Sequence, residues 1–355
     1  MAFPEPPKNR SAVRKAGKKI AEGTESAEDI ALVDQWRGSH GYALNTFQAN
    51  LRQRISRSGF EIDFVQRLKR RKTVIDKLRR RKPDGTKLIS DVTSMQDFAG
   101  CRLIFESVDD LIQFRSEFHR DLRGGSQLHI IKNDPDKFNY IEAPKATGYR
   151  GIHDTLIHRP RSHRRESGAN LPWHNLLVEI QYRTRIQNSW ATAVEMSDML
   201  AGTRTKFQFT EDKRGRLFAL ASELLAREHE GFERRFVGTT ISGLKDEIDQ
   251  LERELKIIAN LSALRKFEVA EQLGKHSVLN IIKDASVEVG YRLEVSTYQN
   301  GIMAISAANE AESDPKSLNA VYVRADKPAQ LQRSYRNYFS DPSDFVSLLG
   351  YDSLP

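Results

Sequence analysis

Between about residue 100 and residue 200 the chain switches repeatedly between two hydrophobic periods, and this alternation restricts its possible folds more than any other feature. CRLIFES (101–107) is a continuous apolar run of strand length, while VDDLIQFRSEFHRDL (108–122) spaces its apolar residues for a helix. LHIIKND (128–134) and IHDTLIHR (152–159) are short strand candidates, LLVEIQYR (176–183) alternates, and RIQNSWATAVEMSDML (185–200) is helical again. Strands interleaved with helices predict an α/β (α+β) domain, a mixed β-sheet flanked by helices. Upstream, Ile30, Leu32, Val33, Trp36, Tyr42, Leu44, Phe47 and Leu51 recur at helical spacing within 28–64. FVQRLKRRKTVIDKLRRRK (64–82) reads as a second helix, stopped by Pro83-Asp84-Gly85. Residues 1–27, rich in Pro, Lys and Gly, read as a flexible N-terminus.

Beyond this region the texture changes. Residues 206–283 read as a helical connector: 210–236 is amphipathic, and 241–261 carries apolar residues at 241, 244, 248, 251, 255 and 258, the spacing of a packed helix. From 284 the pattern turns β-like in SVEVGYRLEVSTY, GIMAISAA and NAVYVRA, before short helical pieces in 328–350. At 355 residues the chain exceeds one typical domain. The expected division is 28–205, the connector 206–283 and a small α+β domain at 284–355.

Lys and Arg number 56 against 48 Asp and Glu, a formal charge of +8. Such an excess favours polyanionic partners: nucleotides, nucleic acid or an anionic membrane surface. No apolar run approaches transmembrane length, so no membrane partner is expected. The single cysteine, Cys101, excludes a disulfide framework within the chain and argues against a Cys-based zinc site. MAFPEPPKNRSAVRKAGKK offers no signal-peptide core, and the expected location is the reducing cytoplasm.

Four stretches carry residues suited to chemistry. Arg67, Lys69, Arg70, Arg71, Lys72, Lys77, Arg79, Arg80, Arg81 and Lys82 face one acid, Asp76. On a helix Lys69, Thr73 and Lys77 would share a face, either a solvated basic surface or a phosphate-binding one. Asp97 stands just before a buried strand, Gly100 would permit a tight approach, and Arg102 follows. Such an aspartate either caps the turn or serves Mg²⁺, which takes one or two carboxylates plus substrate phosphates. Glu179, Gln181 and Arg183 project to one face of a strand, forming a solvated edge or the floor of a site in which Glu179 supplies a second carboxylate. In the loop ATGYRGIHDTL (146–156), Tyr149 either packs or stacks on a nucleobase, with Arg150 and His153 near ribose or phosphate.

The order of these stretches resembles the synthetase domain of the RelA/SpoT family over about residues 28–200. That family's R-x-K motif corresponds to Arg67-Leu68-Lys69, with Lys77 downstream, and its D-x-x-G-x-R motif to Asp97 through Arg102. Its K-x-x-G-Y-R-x-x-H loop corresponds to Lys145 through His153, and its E-I-Q-x-R-T strand to Glu179 through Thr184, followed by Trp190 and Glu195. Thr73 stands where Ser is common, and Met196 where His is frequent. The N-terminal helices lack the His-Asp pair of a metal-dependent hydrolase, so the chain is similar to synthetase-only members. The resemblance implies a nucleotidyltransferase-like fold that moves the β,γ-pyrophosphate of ATP to a ribose 3′-hydroxyl. It also implies Mg²⁺ on Asp97 and Glu179, and ATP on Arg67, Lys69, Lys77 and Arg102. Glu179 would orient or deprotonate the acceptor hydroxyl. Tyr149 would stack on the acceptor base, with Lys145, His153, Gln181 and Arg183 lining that pocket.

Two acceptors occur in the resembling family: GDP or GTP in alarmone synthetases, and the 3′-terminal adenosine of tRNA in a toxin branch. Basic surface for an acceptor stem is offered by Arg79, Arg80, Arg81 and Lys82 and by a loop with Arg159, Arg161, His163, Arg164 and Arg165. The long C-terminal part, with Tyr335 and Tyr338 in SYRNYF, resembles fused toxin–antitoxin members of the CapRel type. That layout implies a zinc-finger-like domain without metal, tyrosines that cover the adenine slot, and release by a phage protein. A different class is an RNA-binding protein that kept the fold and lost the activity. The paired carboxylates Asp97 and Glu179 speak against it, since binding alone needs no acids beside phosphate.

Overall fold

The computed structural model describes residues 3–82, 84–123, 129–159, 172–201, 212–263, 274, 276–284, 286, 291–311, 314–324 and 342–351. The chain divides into two compact units, Met1–Phe138 with Ile152–Tyr182, and Asn139–Gly151 with Arg183–Pro355.

The first unit opens on helix α1, Arg10–Glu22, where a flexible segment is expected. Val13, Ala16, Ile20 and Ala21 form a buried stripe between its lysines and arginines, so an apolar face lies inside a segment whose composition reads as polar. Asn9 caps its start, accepting from the Ala12 N–H at 3.1 Å. Helix α2, Ala27–Ser58, starts at a Ser26/Asp29 capping box and ends at Gly59 with φ +75°.

The largest correction falls on 64–82. Ile62–Leu68 is strand β1, and only Arg71–Arg79 is helix, α3. The basic residues mask a strand whose pairing with β2, Ala99–Phe105, decides the matter: Ile62 lies opposite Phe105, and Leu68 opposite Ala99, antiparallel throughout. Lys69 therefore precedes α3 and does not share its face with Lys77. Helix α4, Val108–Arg123, follows as expected and buries Leu111, Phe114, Phe118 and Leu122. The strand expected around 128–134 is reduced to β3, Ile130–Ile131. With β4, Ile152–Ile157, and β5, Leu177–Thr184, the mixed sheet has the order β1-β2-β5-β4-β3.

Asp154 on β4 is fully buried, held by Arg115 of α4 through two bonds of 3.1 and 2.8 Å and by His119 Nε2 at 2.6 Å. This fork satisfies a charge that the interior would otherwise reject.

In the second unit, α5 is Arg185–Ala201 and α6 is Lys213–His229. The single helix expected over 241–261 is two, α7 (Ile241–Leu255) and α8 (Ile257–Ala263), divided at Lys256, whose φ of +51° is left-handed. Trp190, Phe218, Leu224, Leu244, Ile258 and Phe345 are among the residues of its core. A separate three-stranded antiparallel sheet has the order β7-β6-β8, with β6 His276–Lys283, β7 Tyr291–Thr297 and β8 Ser317–Arg324. Its central strand starts before the β-like texture was expected to begin. GIMAISAA, expected as a strand, begins helix α9, Gly301–Ala311, with Asn300 accepting from the Met303 N–H at 3.1 Å. Asn at the start and alanine within outweigh the isoleucines. A last helix, α10, is Ser343–Leu348. Among the described residues no helix is long and apolar enough to cross a membrane.

Candidate active site

The centre of the first unit's chemistry is Asp97. The β1–β2 ladder runs on one bond past β1, the Lys69 N–H donating to the Phe98 carbonyl at 2.7 Å. That bond sets Lys69 beside Asp97, and its ammonium donates to Oδ2 at 2.7 Å. Lys77, on α3 next to the buried Leu78, reaches the same oxygen at 2.8 Å. The two lysines converge from a strand end and a helix, not from one helical face. The other oxygen, Asp97 Oδ1, is buried and accepts no hydrogen bond. Burial opposes ionisation of Asp97, yet Lys69 and Lys77 outweigh it and hold the carboxyl well below the usual range.

Glu179 lies on β5, which neighbours β2 in the sheet. Its strand alternates as expected, with Val178, Ile180 and Tyr182 buried and Glu179 and Gln181 half-buried on the other face. The β4–β5 register sets His153 opposite Gln181 and Thr155 opposite Glu179. His153 Nδ1 stands 3.1 Å from Glu179 Oε1, and Gln181 Nε2 donates to Oε2 at 2.7 Å. Burial raises the Glu179 pKa, but His153, by charge and hydrogen bond, together with Gln181 brings it below its ordinary value. The charge of Asp97 acts in the opposite direction on Glu179, the repulsion expected of two acids sharing one neighbourhood.

Two carboxylates, one with a buried free oxygen, suit a divalent ion. Among the described residues no cluster of three or more His, Cys, Asp or Glu could hold a metal ion. An ion here would therefore complete its shell from phosphate oxygens and water, as Mg²⁺ does in nucleotide enzymes.

Arg67 and Arg102 lie on one face of the β1–β2 pair, Arg67 opposite Gly100 and Val65 opposite Arg102. No protein atom requires glycine at 100: a Cβ there would meet only the Arg67 carbonyl, at an ordinary 3.9 Å. Arg79 and Arg81, both exposed, anchor to the end of α1 and the turn after it: Arg79 bonds the Ile20 carbonyl and pairs with Glu25, and Arg81 bonds the Ala21 carbonyl. Arg80 and Lys82 follow on the same stretch, while Arg164, Arg165, Tyr335 and Tyr338 lie outside the described residues.

Lys145, Tyr149 and Arg183 belong to the second unit. Tyr149 is only 8% exposed, edge-on to Tyr140 and Trp190. The Arg183 guanidinium stands 5.2 Å from its ring centre and donates to its hydroxyl at 3.2 Å; the Lys145 ammonium lies 5.1 Å from the ring. The ring is thus held in place by two cations and by its aromatic neighbours. The preceding Gly148 is obligatory, with φ +89° and a would-be Cβ 3.0 Å from Ala219 Cα and from Ser222 Cβ. Arg150 is buried and paired with Glu230, which also accepts from the Thr184 hydroxyl and from Gln187 at 3.1 Å. Glu230 and Gln187 were missed from sequence; a lone acid beyond a helix gives no signal until its arginine is placed against it.

Residues 66–199 match the model for the region found in RelA / SpoT proteins. Over 132 residues the chain is 32% identical to the GTP pyrophosphokinase YjbM of Bacillus subtilis (strain 168), taking in 37% of this chain and 54% of that protein. The chain thus spans about half the length of the curated relative it matches. Among solved structures, it is similar to the small alarmone synthetase 1 from Bacillus subtilis bound to its product pppGpp, at TM-score 0.42 and 21% identity over 63% of this chain and 97% of that one. A GTP pyrophosphokinase family protein from Streptococcus pneumoniae gives TM-score 0.40 and 23% identity over 57% and 91%. Asp97, Arg102, Lys145, Tyr149 and Glu179 all lie within the matched 66–199.

Proposed function

We propose that the chain is a pyrophosphotransferase that moves the β,γ-pyrophosphate of ATP to a ribose 3′-hydroxyl. The observation that carries this reading is the pair of acids, Asp97 with a buried oxygen that accepts no hydrogen bond and Glu179 on the strand next to β2 within reach of its charge, in a setting of lysines and arginines. The match of 66–199 to the RelA/SpoT region supports it.

In this reading Arg67, Lys69, Lys77 and Arg102 hold the ATP phosphates. Lys69 and Lys77 keep Asp97 ionised until a nucleotide enters. Glu179 accepts a hydrogen bond from the 3′-hydroxyl and orients its oxygen; a carboxylate held below its ordinary pKa is better suited to orienting than to removing a proton near neutrality. His153 and Gln181 fix that carboxylate. Mg²⁺, held by Asp97 and Glu179, would neutralise phosphate charge and polarise the β-phosphorus.

For the acceptor, the activity named for the Bacillus subtilis relative favours GDP or GTP. A second reading, the tRNA 3′ end, draws on the net charge of +8 and on the basic run Arg79, Arg80, Arg81 and Lys82, of which Arg79, Arg81 and Lys82 are exposed. With it goes a fused toxin–antitoxin in which the C-terminal domain, 284–355, restrains the synthetase through Tyr335 and Tyr338 until a phage protein binds.

The test is transfer of label. Purified protein with γ-labelled ATP and Mg²⁺ is offered GDP, GTP or bulk tRNA, beside the variants Asp97→Asn and Glu179→Gln. Label should reach one acceptor class and be lost in both variants. An absence of label on all three acceptors, in the wild type and in Tyr335→Ala alike, refutes the enzymatic reading and leaves the binding-protein alternative.

A further inference from the structure

Residues 230–236, EGFERRF, continue a helical pattern in sequence, yet α6 stops at His229 and the chain turns at Gly231, φ +70°. Two side chains of α6 fix the segment after the turn. Glu223, 4% exposed, accepts the N–H groups of Arg234 and Arg235 at 3.2 and 3.1 Å. Arg227 donates to the carbonyls of Arg235 and Phe236 at 2.8 and 3.0 Å.

From this base the segment grips the loop that carries Lys145, Tyr149 and Arg150. Arg235 Nη1 donates to the Lys145 carbonyl at 2.7 Å and also to that of Ala146. Arg234 pairs with Glu142 at 2.8 Å, Glu230 with Arg150, and the Ser222 hydroxyl donates to the Gly148 carbonyl at 2.6 Å. The approach of α6 is so close that only glycine fits at 148. Ser222, Glu230, Arg234 and Arg235, converging from one short segment on one loop, far exceed what chain connection requires. All lie beyond the matched 66–199.

We propose that residues 222–236 are a clamp that sets the conformation of the 145–150 loop, with Glu230 and Arg235 as positioning residues for the acceptor nucleotide. The acceptor part of this proposal rests on the pyrophosphotransferase reading; the clamp does not. Arg235 donates to the carbonyls of Lys145 and Ala146, and the Lys145 ammonium lies 4.2 Å from the Tyr140 ring and 5.1 Å from that of Tyr149. Loss of the clamp frees both cation and ring, and weakens acceptor binding while leaving the Asp97 centre intact.

Full-length wild type, Arg235→Ala, Arg235→Lys and Glu230→Gln are compared by amide hydrogen exchange and by steady-state transfer, using the acceptor that the wild type labels. Arg235→Ala should speed exchange of the 145–149 amides by about tenfold. It should raise the acceptor KM by about tenfold, with KM for ATP and kcat within about twofold. Arg235→Lys should restore part of both, and Glu230→Gln should move them in the same direction as Arg235→Ala. Unchanged loop exchange in both Arg235→Ala and Glu230→Gln overturns the clamp, and an equal rise in KM for ATP overturns the acceptor role. Faster loop exchange in a chain that labels nothing, with or without Tyr335→Ala, upholds the clamp and sinks the transferase reading.

Discussion

Lys69 and Asp97 meet at 2.7 Å with only 9% and 21% of their side chains exposed, and Lys77 shares the same carboxylate oxygen at 2.8 Å. Such a triad is a charged site kept ready: three groups are partly desolvated already, and the second, buried carboxylate oxygen accepts no hydrogen bond. Asp97→Asn leaves Lys69 and Lys77 facing each other without a counter-charge. It should cost about 3 kcal/mol of stability and lower transfer by at least about 100-fold. Urea unfolding and label transfer check the two effects separately. A variant as stable and as active as the wild type would remove Asp97 from the site.

On the pyrophosphotransferase reading, the acid side of the rate profile should depend on His153. Glu179 sits below its ordinary value of 4.5 because the charge and hydrogen bond of His153 overcome burial and the repulsion from Asp97. An acid limb due to Glu179 therefore lies below pH 4.5 in the wild type. His153→Ala removes the larger lowering causes and leaves burial and repulsion against the smaller help of Gln181, so the limb moves to higher pH. A kcat/KM profile that does not move would show that Glu179 does not limit the reaction in acid.

Two glycines of the matched motifs should behave oppositely. Gly148→Ala meets backbone and side-chain carbon at 3.0 Å and keeps a left-handed φ. It should destabilise by about 2–4 kcal/mol. Gly100→Ala, with nothing nearer than 3.9 Å, should stay within about 1 kcal/mol of the wild type. Thermal unfolding of the two variants gives the comparison, and equal losses would contradict it.

Buried imidazoles make the fold sensitive to acid. His40 is pushed down to about 4 by burial, and His129 to about 4 by burial and by His158, whose own pKa is lowered. The His129 and His158 rings stack at 5.4 Å, and His158 Nδ1 bonds the Trp173 carbonyl at 2.8 Å. In the unfolded chain His40 and His129 take their protons near pH 6.5; in the folded chain they resist to about 4. Their contribution is complete above about 6.5 and fades as pH falls toward about 4, at about 1.4 kcal/mol per pH unit for each histidine. Urea midpoints at about pH 7.5, 6 and 5 should fall steadily, and His129→Phe should flatten the slope. A midpoint independent of pH in this window would contradict the neutral state.

The sheet and most of its helices were readable because burial imposes a period on the residues themselves. Val178, Ile180 and Tyr182 alternate with Glu179 and Gln181 in sequence as they do in space. The stretch 64–82 was misread because a strand made by its partner shows little of that period: Arg67 and Gln66 stand in β1 on the strength of β2. The candidate site was legible as a set of residue types, Asp97, Glu179, Lys69 and Lys77, but not as a geometry. That both lysines seek one oxygen, or that Glu230 closes on Arg150, depends on approaches between distant segments that no local pattern records.

Cys101 lies on β2 four residues from Asp97, 1% exposed, with burial pushing its thiol up to about 12. The chain's one sulfhydryl is thereby silent toward alkylating reagents so long as the strand beside it stays paired. Its modification rate is a clock for opening of that strand, wound into the chain without any added label.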